Sequence, residues 1–165
     1  MKLSVELAIQ LICIEKTFLP GQWQVVRDAS SIVSGLSAPH KDVDRLEAKI
    51  RISHGSSDKV SFTMLMRVRG EKQRWRVYAL DWNPTSPHRN PFLLGHPDSY
   101  RLFSPGQSHE HHIGTRVSDE NPDKFALSLA VDLPDYDSAL AYFCDRMNIR
   151  RPPDLAAPEP QGQLL

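Results

Sequence analysis

The residues that decide the fold are RLEAKIRIS, positions 45–53, where apolar and charged side chains alternate. Successive side chains of a β-strand point to opposite faces of the sheet, so a period of two predicts a half-buried strand. The apolar positions are Leu46, Ala48, Ile50 and Ile52, and the charged positions are Arg45, Glu47, Lys49 and Arg51. One face of this strand is expected to meet a core and the other to meet solvent.

Two more segments repeat this pattern, VSFTMLMRVR at 60–69 and RWRVYALDW at 74–82, and short polar turns separate the three. Successive strands with short connections predict an antiparallel meander. In the third strand, alternation puts Asp81 on the face opposite to Tyr78. The side chains expected beside Asp81 are Trp75, Val77 and Ala79, and those beside Tyr78 are Arg74, Arg76, Leu80 and Trp82.

Helices are predicted at both ends of the chain. Apolar residues recur at helical spacing over 4–18, with Ser4 as a candidate N-cap. A second helix is predicted over 136–149, where Asp135 can cap the first turn. The intervening segments are less regular: 23–28 is typical of a short strand, and 30–40 of a loop or a marginal strand. Segments 109–117 and 124–132 can each form a strand.

The predicted fold class is therefore α+β, an antiparallel β-meander of about five to six strands flanked by an N-terminal and a C-terminal helix. Residues 1–150 are expected to form a single domain, since this length allows a sizeable core. Residues 151–165 are rich in proline and show no hydrophobic periodicity. They are expected to form a mobile tail.

Composition excludes some classes of protein. The formal net charge is zero, so the chain as a whole is not a general polyanion binder. No stretch approaches the roughly 18 apolar residues that a membrane-spanning helix needs, so no membrane partner is expected. Cys13 and Cys144 are far apart and in no metal-binding spacing. They are expected to be buried free thiols of a cytoplasmic protein.

Histidine is concentrated in one stretch, since residues 86–112 hold five of the seven in the chain. They lie in and after a long Pro-rich segment, and long loops in compact domains are often functional. If 108–113 is extended, His109 and His111 point the same way and His112 points the opposite way. The pair can then act on one metal ion or one phosphate. The alternative is that HEHH is a solvated edge strand without a site.

A metal-free reaction is the first interpretation of the pair. Zinc needs a third or fourth ligand, and the candidates near in sequence, His88, His96 and Asp81, stand in no spacing typical of a metal site. No metal and no cofactor is therefore assigned. Histidine titrates near neutral pH, so two imidazoles can serve as general base and general acid in RNA cleavage. The arginines that can bind the phosphate are Arg74, Arg76, Arg89 and Arg116.

Three motifs also carry a resemblance: LDWNPTSPHRNP at 80–91, HEHHI at 109–113 and ALAYFCDRMNI at 139–149. In this order they resemble small bacterial and prophage proteins with P-H-x-N-P and H-x-H motifs, similar in plan to TumE-like toxins of toxin–antitoxin systems. The matching positions are Asp81, His88, Asn90, Pro91, His109 and His111. The chain departs from the pattern at Phe92-Leu93, where Asp-Gly is typical, and at Glu110 and His112, where apolar residues are typical.

The resemblance implies a toxin-like or phage-related protein that acts on nucleic acid. The first hypothesis is a metal-independent ribonuclease in which His109 and His111 exchange protons, His88 assists and Asp81 fixes a histidine tautomer. Its partners would be RNA and a protein such as an antitoxin. The alternative hypothesis is a non-enzymatic adaptor or inhibitor that binds a larger protein or ribonucleoprotein in a phage–host or defence complex.

Overall fold

The structure, a computed structural model, describes residues 5–26, 28–37, 40–54, 59–113, 124–152 and 155–158. Within them the chain forms an α+β fold with an antiparallel sheet and a helix towards each end, as predicted. The helices are α1 (Val5–Cys13) and α2 (Tyr136–Arg146). The strands are β1 (Lys16–Thr17), β2 (Gln24–Val26), β3 (Ala29–Gly35), β4 (Val43–Ser53), β5 (Lys59–Val68), β6 (Trp75–Trp82), β7 (His88–Arg89), β8 (Leu102–Phe103), β9 (His109–His112), β10 (Ala126–Ser128) and β11 (Ile149–Arg150).

The main sheet has seven strands in the order β10-β9-β6-β5-β4-β3-β2. The meander of β4, β5 and β6 is confirmed, and β3 adds a strand where the sequence indicated a loop or a marginal strand. Two serines of β3 are buried, and the hydroxyl of each has a hydrogen-bond partner. Ser30 shares a hydrogen bond with His54 at 2.9 Å, and the Ser34 hydroxyl donates to the Leu19 carbonyl. Buried hydroxyls with partners do not oppose strand formation.

The N-terminal helix is shorter than predicted. It ends at Cys13 rather than at residue 18, and Lys16 and Thr17 instead pair in parallel with β11. The ammonium group of Lys16 turns back and donates to the carbonyls of Leu11, Ile12 and Ile14. A lysine in this position binds the unpaired carbonyls at the helix end, and so stops the helix. The predicted N-cap, Ser4, lies outside the described residues.

The C-terminal helix confirms its predicted cap. The Asp135 carboxylate accepts from the Ser138 amide at 2.7 Å. In return, the Ser138 hydroxyl oxygen accepts from the Asp135 amide at 3.1 Å. The helix packs on one face of the sheet, with Phe143 stacked on Phe62 at 5.6 Å. Cys144 is buried as expected, but Cys13 is exposed because it ends α1. Neither α1 nor α2 combines the length and apolarity needed to cross a membrane.

Part of the predicted mobile tail packs on the domain. Leu155 is buried in the core cluster, and its carbonyl accepts from the Tyr136 hydroxyl at 3.3 Å. Arg151 forms an ion pair with Asp137 at 2.7 Å. Of the later tail residues, 159–165 lie outside the described part of the chain.

A bulge in β6 changes the predicted faces of that strand. Tyr78 lies opposite Met64, but Arg76 lies opposite Leu65, so the register shifts around Val77. An extra residue on one strand of an antiparallel pair reverses the alternation beyond it. Arg76 is therefore on the same face of the sheet as Asp81, whereas strict alternation put it on the other face.

The side chains of β9 divide between the two faces, as predicted for His109, His111 and His112. His112 stacks edge-on against Tyr78, with centroids 5.1 Å apart, on the helix side. Glu110 also lies on that side and is 5% exposed. Its carboxylate accepts from the Tyr78 hydroxyl at 2.7 Å and from Arg146 of α2 at 3.0 Å. Burial would raise the pKa of Glu110, but the contacts with His112, Tyr78 and Arg146 lower it to about 2.

Glu110→Ala is expected to lower the free energy of unfolding by about 2–4 kcal/mol, because it leaves the buried Tyr78 hydroxyl and Arg146 without their acceptor. Urea denaturation followed by tryptophan fluorescence measures this loss. The control is Glu15→Ala, which removes an exposed ion pair with Arg150 and should cost less than about 1 kcal/mol. Equal losses in the two variants would show that the Glu110 contacts do not hold β9 to α2.

Candidate functional site

The structure brings together Asp81, His88, His109 and His111. The ring centroid of His88 lies 5.3 Å from that of His109 and 5.3 Å from that of His111. The rings of His109 and His111 are 5.1 Å apart. The Oδ2 atom of Asp81 lies 3.4 Å from Nε2 of His111 and 3.7 Å from Nε2 of His109. Catalytic groups must lie within such distances to act on one substrate. The roles of these residues stay predictions.

Strand pairing explains three of the four positions. On antiparallel β6 and β9, Asp81 lies opposite His109 and Ala79 lies opposite His111. Directly opposed residues share a face of the sheet, so both imidazoles lie on the face of Asp81. Ala79 contributes only a methyl group, which leaves room above it for the His111 ring.

His88 reaches the cluster from the long segment between β6 and β9, which is ordered by a small β7–β8 pair. Asn90 fixes this segment, and it is 1% exposed. Its amide group donates to the Ala126 carbonyl at 2.8 Å, and its Oδ1 accepts from the Ala126 amide at 2.8 Å. The same Oδ1 accepts from His88 Nε2 at 3.2 Å. Asn90, carried here by the resemblance, is therefore a positioning residue between His88 and β10.

Main-chain carbonyls orient the two β9 histidines. Nδ1 of His109 donates to the Gln107 carbonyl at 3.0 Å, and Nδ1 of His111 donates to the Phe125 carbonyl at 3.1 Å. Since each Nδ1 carries the proton, each neutral ring has its lone pair on Nε2. Both Nε2 atoms face Asp81. The carbonyls thus orient both rings, and the role of Asp81 in fixing a tautomer stays a prediction.

Burial and charge set the ionisation of the cluster. Burial alone would raise the pKa of Asp81, but contacts with His111, Ser61 and His109 lower it to about 2. Burial lowers the pKa of His109 and of His88, because an imidazolium loses its hydration there. The cluster therefore combines an ionised carboxylate with two imidazoles, those of His88 and His109, that favour the neutral form.

A cavity of about 490 Å³ opens beside the cluster. Asp81, His88 and His109 line its β6 and β9 side, and the loop residues Pro84–Pro87 form another part of its wall. On the β4 and β5 side it is lined by three cationic side chains: Lys49, Arg51 and Lys59. A negatively charged molecule in the cavity can contact both groups.

Of the four predicted phosphate-binding arginines, none is shown beside the cluster cavity. Arg76 is five residues from Asp81 along β6, or about 17 Å at the strand rise. Arg74 forms an ion pair with Glu47 at 3.4 Å. Arg89 follows His88, but its exposed guanidinium donates to the Tyr100 carbonyl at 3.4 Å. Arg116 lies outside the described residues.

The sequence analysis missed Lys49, Arg51 and Lys59 as site residues. It placed Lys49 and Arg51 on the solvent face of β4, but assigned no function to that face. The signal was the strand register: Arg51 lies opposite Ser61, which lies opposite Asp81. Two strand spacings put Arg51 and Asp81 about 10 Å apart along the backbone.

No protein-family model, no curated protein and no solved structure matches the chain.

Asn90→Asp is expected to lower the free energy of unfolding by about 2–4 kcal/mol, because a carboxylate cannot donate to the buried Ala126 carbonyl. Chemical denaturation measures the change. The control is Gln73→Glu, the same amide-to-acid change at an exposed turn position, which should shift stability by less than about 0.5 kcal/mol. A stable Asn90→Asp variant would mean that the amide does not hold the loop to β10.

Proposed function

We propose that the protein is a phosphodiester-cleaving enzyme that acts on RNA, with its reaction centre at Asp81, His88, His109 and His111. One observation carries the proposal: imidazoles and a carboxylate line the same cavity as Lys49, Arg51 and Lys59. Proton-transfer groups beside cationic groups suit a reaction in which a phosphate gains negative charge. The resemblance to TumE-like toxins favours the same class of substrate.

The cationic side of the cavity is proposed to bind phosphate groups. Among the residues that the structure describes, no ion pair is formed by Lys49, Arg51 or Lys59, although Lys59 donates to the Thr85 hydroxyl at 3.2 Å. Arginine binds phosphate through two parallel N–H donors, and lysine binds it as a point charge. Arg51 and Lys49 would hold the backbone of the RNA two strands away from Asp81.

The cluster is proposed to divide into two parts. Asp81, His109 and His111 act as one unit, because both Nε2 atoms face the carboxylate. This unit would contact the reacting phosphate. The half-buried His88 lies beside it and lines the cavity, so we assign proton transfer to His88. Proton exchange between His109 and His111 without a metal is the alternative division.

The proposed step uses the 2′-hydroxyl of RNA as an internal nucleophile. A bond forms between O2′ and phosphorus, and the bond between phosphorus and O5′ breaks. The cluster accepts the proton of the 2′-hydroxyl and donates a proton to the leaving O5′, so that it ends in its starting protonation state. DNA lacks this hydroxyl, so the step predicts a strict preference for RNA.

The free thiols of Cys13 and Cys144 suit a reducing compartment, and we propose that the reaction takes place in the cytoplasm.

A second candidate, a non-enzymatic adaptor or inhibitor, is favoured by an exposed apolar segment. Four large side chains of residues 92–102 are about half exposed or more: Phe92, Leu94, Tyr100 and Leu102. Phe92 and Tyr100 stack at 5.8 Å. Exposed apolar patches mark protein interaction sites. An antitoxin or a larger complex would contact this segment, which is separate from the cationic side of the cavity.

His88→Ala is expected to slow cleavage of a labelled single-stranded RNA by about 100-fold or more, the usual range for loss of a proton-transfer group. Gel analysis of the products measures the rate, and the same sequence as DNA should stay intact. His40→Gln is the control, since His40 precedes β4 at the end of the sheet away from Asp81.

If the wild-type protein does not cleave RNA, the ribonuclease proposal fails and the adaptor or inhibitor hypothesis remains. In that case, Leu94→Ser should abolish partner binding and Asp81→Asn should not.

Arg51→Gln is expected to weaken RNA binding and to reduce the slope of log affinity against log salt concentration by about one, because one phosphate contact is lost. Fluorescence anisotropy over a salt series measures both. Arg150→Gln is the matched control, because Arg150 is exposed and paired with Glu15 on β11. The same slope for Arg51→Gln and the wild-type protein would contradict a phosphate contact at Arg51.

A further inference from the structure

Three potential ligand atoms converge at the cluster. One ring nitrogen of His109, one of His111 and a carboxylate oxygen of Asp81 all lie within 4.8 Å of one another. The two imidazoles are 3% and 5% exposed, and the Asp81 side chain is 30% exposed. Two histidines and one carboxylate are a common ligand set for a divalent metal ion that keeps an open coordination position.

The hydrogen bonds of the two histidines leave both Nε2 atoms towards Asp81. Each Nδ1 donates to a carbonyl, that of Gln107 or that of Phe125. Nε2 of each ring faces the Asp81 carboxylate, where the two nitrogens and the oxygen can bind one cation. Histidines that bind metals donate their other N–H to a carbonyl or carboxylate in the same way.

We infer that Asp81, His109 and His111 bind one zinc ion, through Oδ2 and the two Nε2 atoms. Zinc lies about 2.0–2.2 Å from nitrogen and oxygen ligands, so tetrahedral geometry puts the ligand atoms about 3.4 Å apart. An octahedral ion with similar bond lengths would bring them to about 3.0 Å. The distances from Asp81 Oδ2, 3.4 Å and 3.7 Å, are closer to the tetrahedral value than to the octahedral one.

The surrounding residues hold this set in place. Ser61, opposite Asp81 on β5, hydrogen-bonds the carboxylate. Asn90 binds the main chain of Ala126, the neighbour of the carbonyl that orients His111. His88 is outside the group of converging ligand atoms, and its ring hydrogen-bonds Asn90 and the Lys124 backbone. Three protein ligands leave a fourth position of zinc for water or substrate.

The inference rests on the proposed function for its chemistry, since it gives the Asp81, His109 and His111 unit a means of contacting phosphate. Zinc stabilises negative charge on a phosphate oxygen and lowers the pKa of a bound hydroxyl group or water. His88 keeps the proton-transfer role. No metal was predicted from the sequence, because Asp81 and the H-x-H pair stand in no spacing typical of a metal site.

The test is zinc binding by the full chain after removal of metals with EDTA. Isothermal titration with zinc chloride should give one ion per chain, and cobalt(II) should give the visible absorption typical of a tetrahedral nitrogen and oxygen site. Asp81→Asn and His109→Gln should each lose at least about 100-fold in affinity, more than a typical loss of an outer contact. His112→Gln is the matched control on the opposite face of β9 and should bind as the wild type does.

Thermal unfolding keeps the test valid if a variant folds poorly. The melting temperature of the wild type should rise with zinc concentration, and that of Asp81→Asn should not. No zinc binding, or binding unchanged in Asp81→Asn and His109→Gln, overturns the inference. RNA cleavage that persists in EDTA with no zinc bound also overturns the zinc site, but it supports the proposed function. Zinc binding without RNA cleavage supports the zinc site and contradicts the proposed function.

Discussion

The pairing of β6 with β9 is the interaction on which the rest of the structure depends. Its register puts His109 opposite Asp81 and His111 opposite Ala79, and so faces both imidazoles towards one carboxylate. The same strand turns Glu110 to the other side, where Tyr78 and Arg146 bind it. A slip of one residue would exchange the two sets of side chains. The buried Glu110 contacts therefore protect the register of the site.

One face of the sheet packs against a helix in the core, and the other carries the candidate site. On the face under α2, Phe62 and Tyr78 of the sheet contact Phe143 of the helix, and burial of these rings stabilises the domain. The other face carries cationic side chains on β4 and β5 and the histidine cluster on β6 and β9. Because the described residues of α2 pack on the first face, polar residues can gather on the second without opening the core.

Much of the fold could be predicted from the sequence, and the errors have physical causes. Alternation of side chains found β4, β5 and β6, and the Asp135 cap found the start of α2. The end of α1 was wrong, because Lys16 caps the helix from outside it. β3 was left ambiguous, because its buried serines are satisfied by distant residues such as His54 and Leu19. The face of Arg76 was wrong, because a bulge has no signature in hydropathy.

The sequence by itself determined local properties: the alternation of β4 and β5, the cap that starts α2, and that His109 and His111 share a face while His112 does not. These follow from periodicity and from hydrogen bonds over a few residues. Only the tertiary structure decided that His88 and Asp81 meet that pair, that Arg51 shares their cavity and that Arg74 does not. These facts depend on strand order and on a long loop tied down by Asn90. Such contacts join residues far apart in the chain, so no local pattern encodes them.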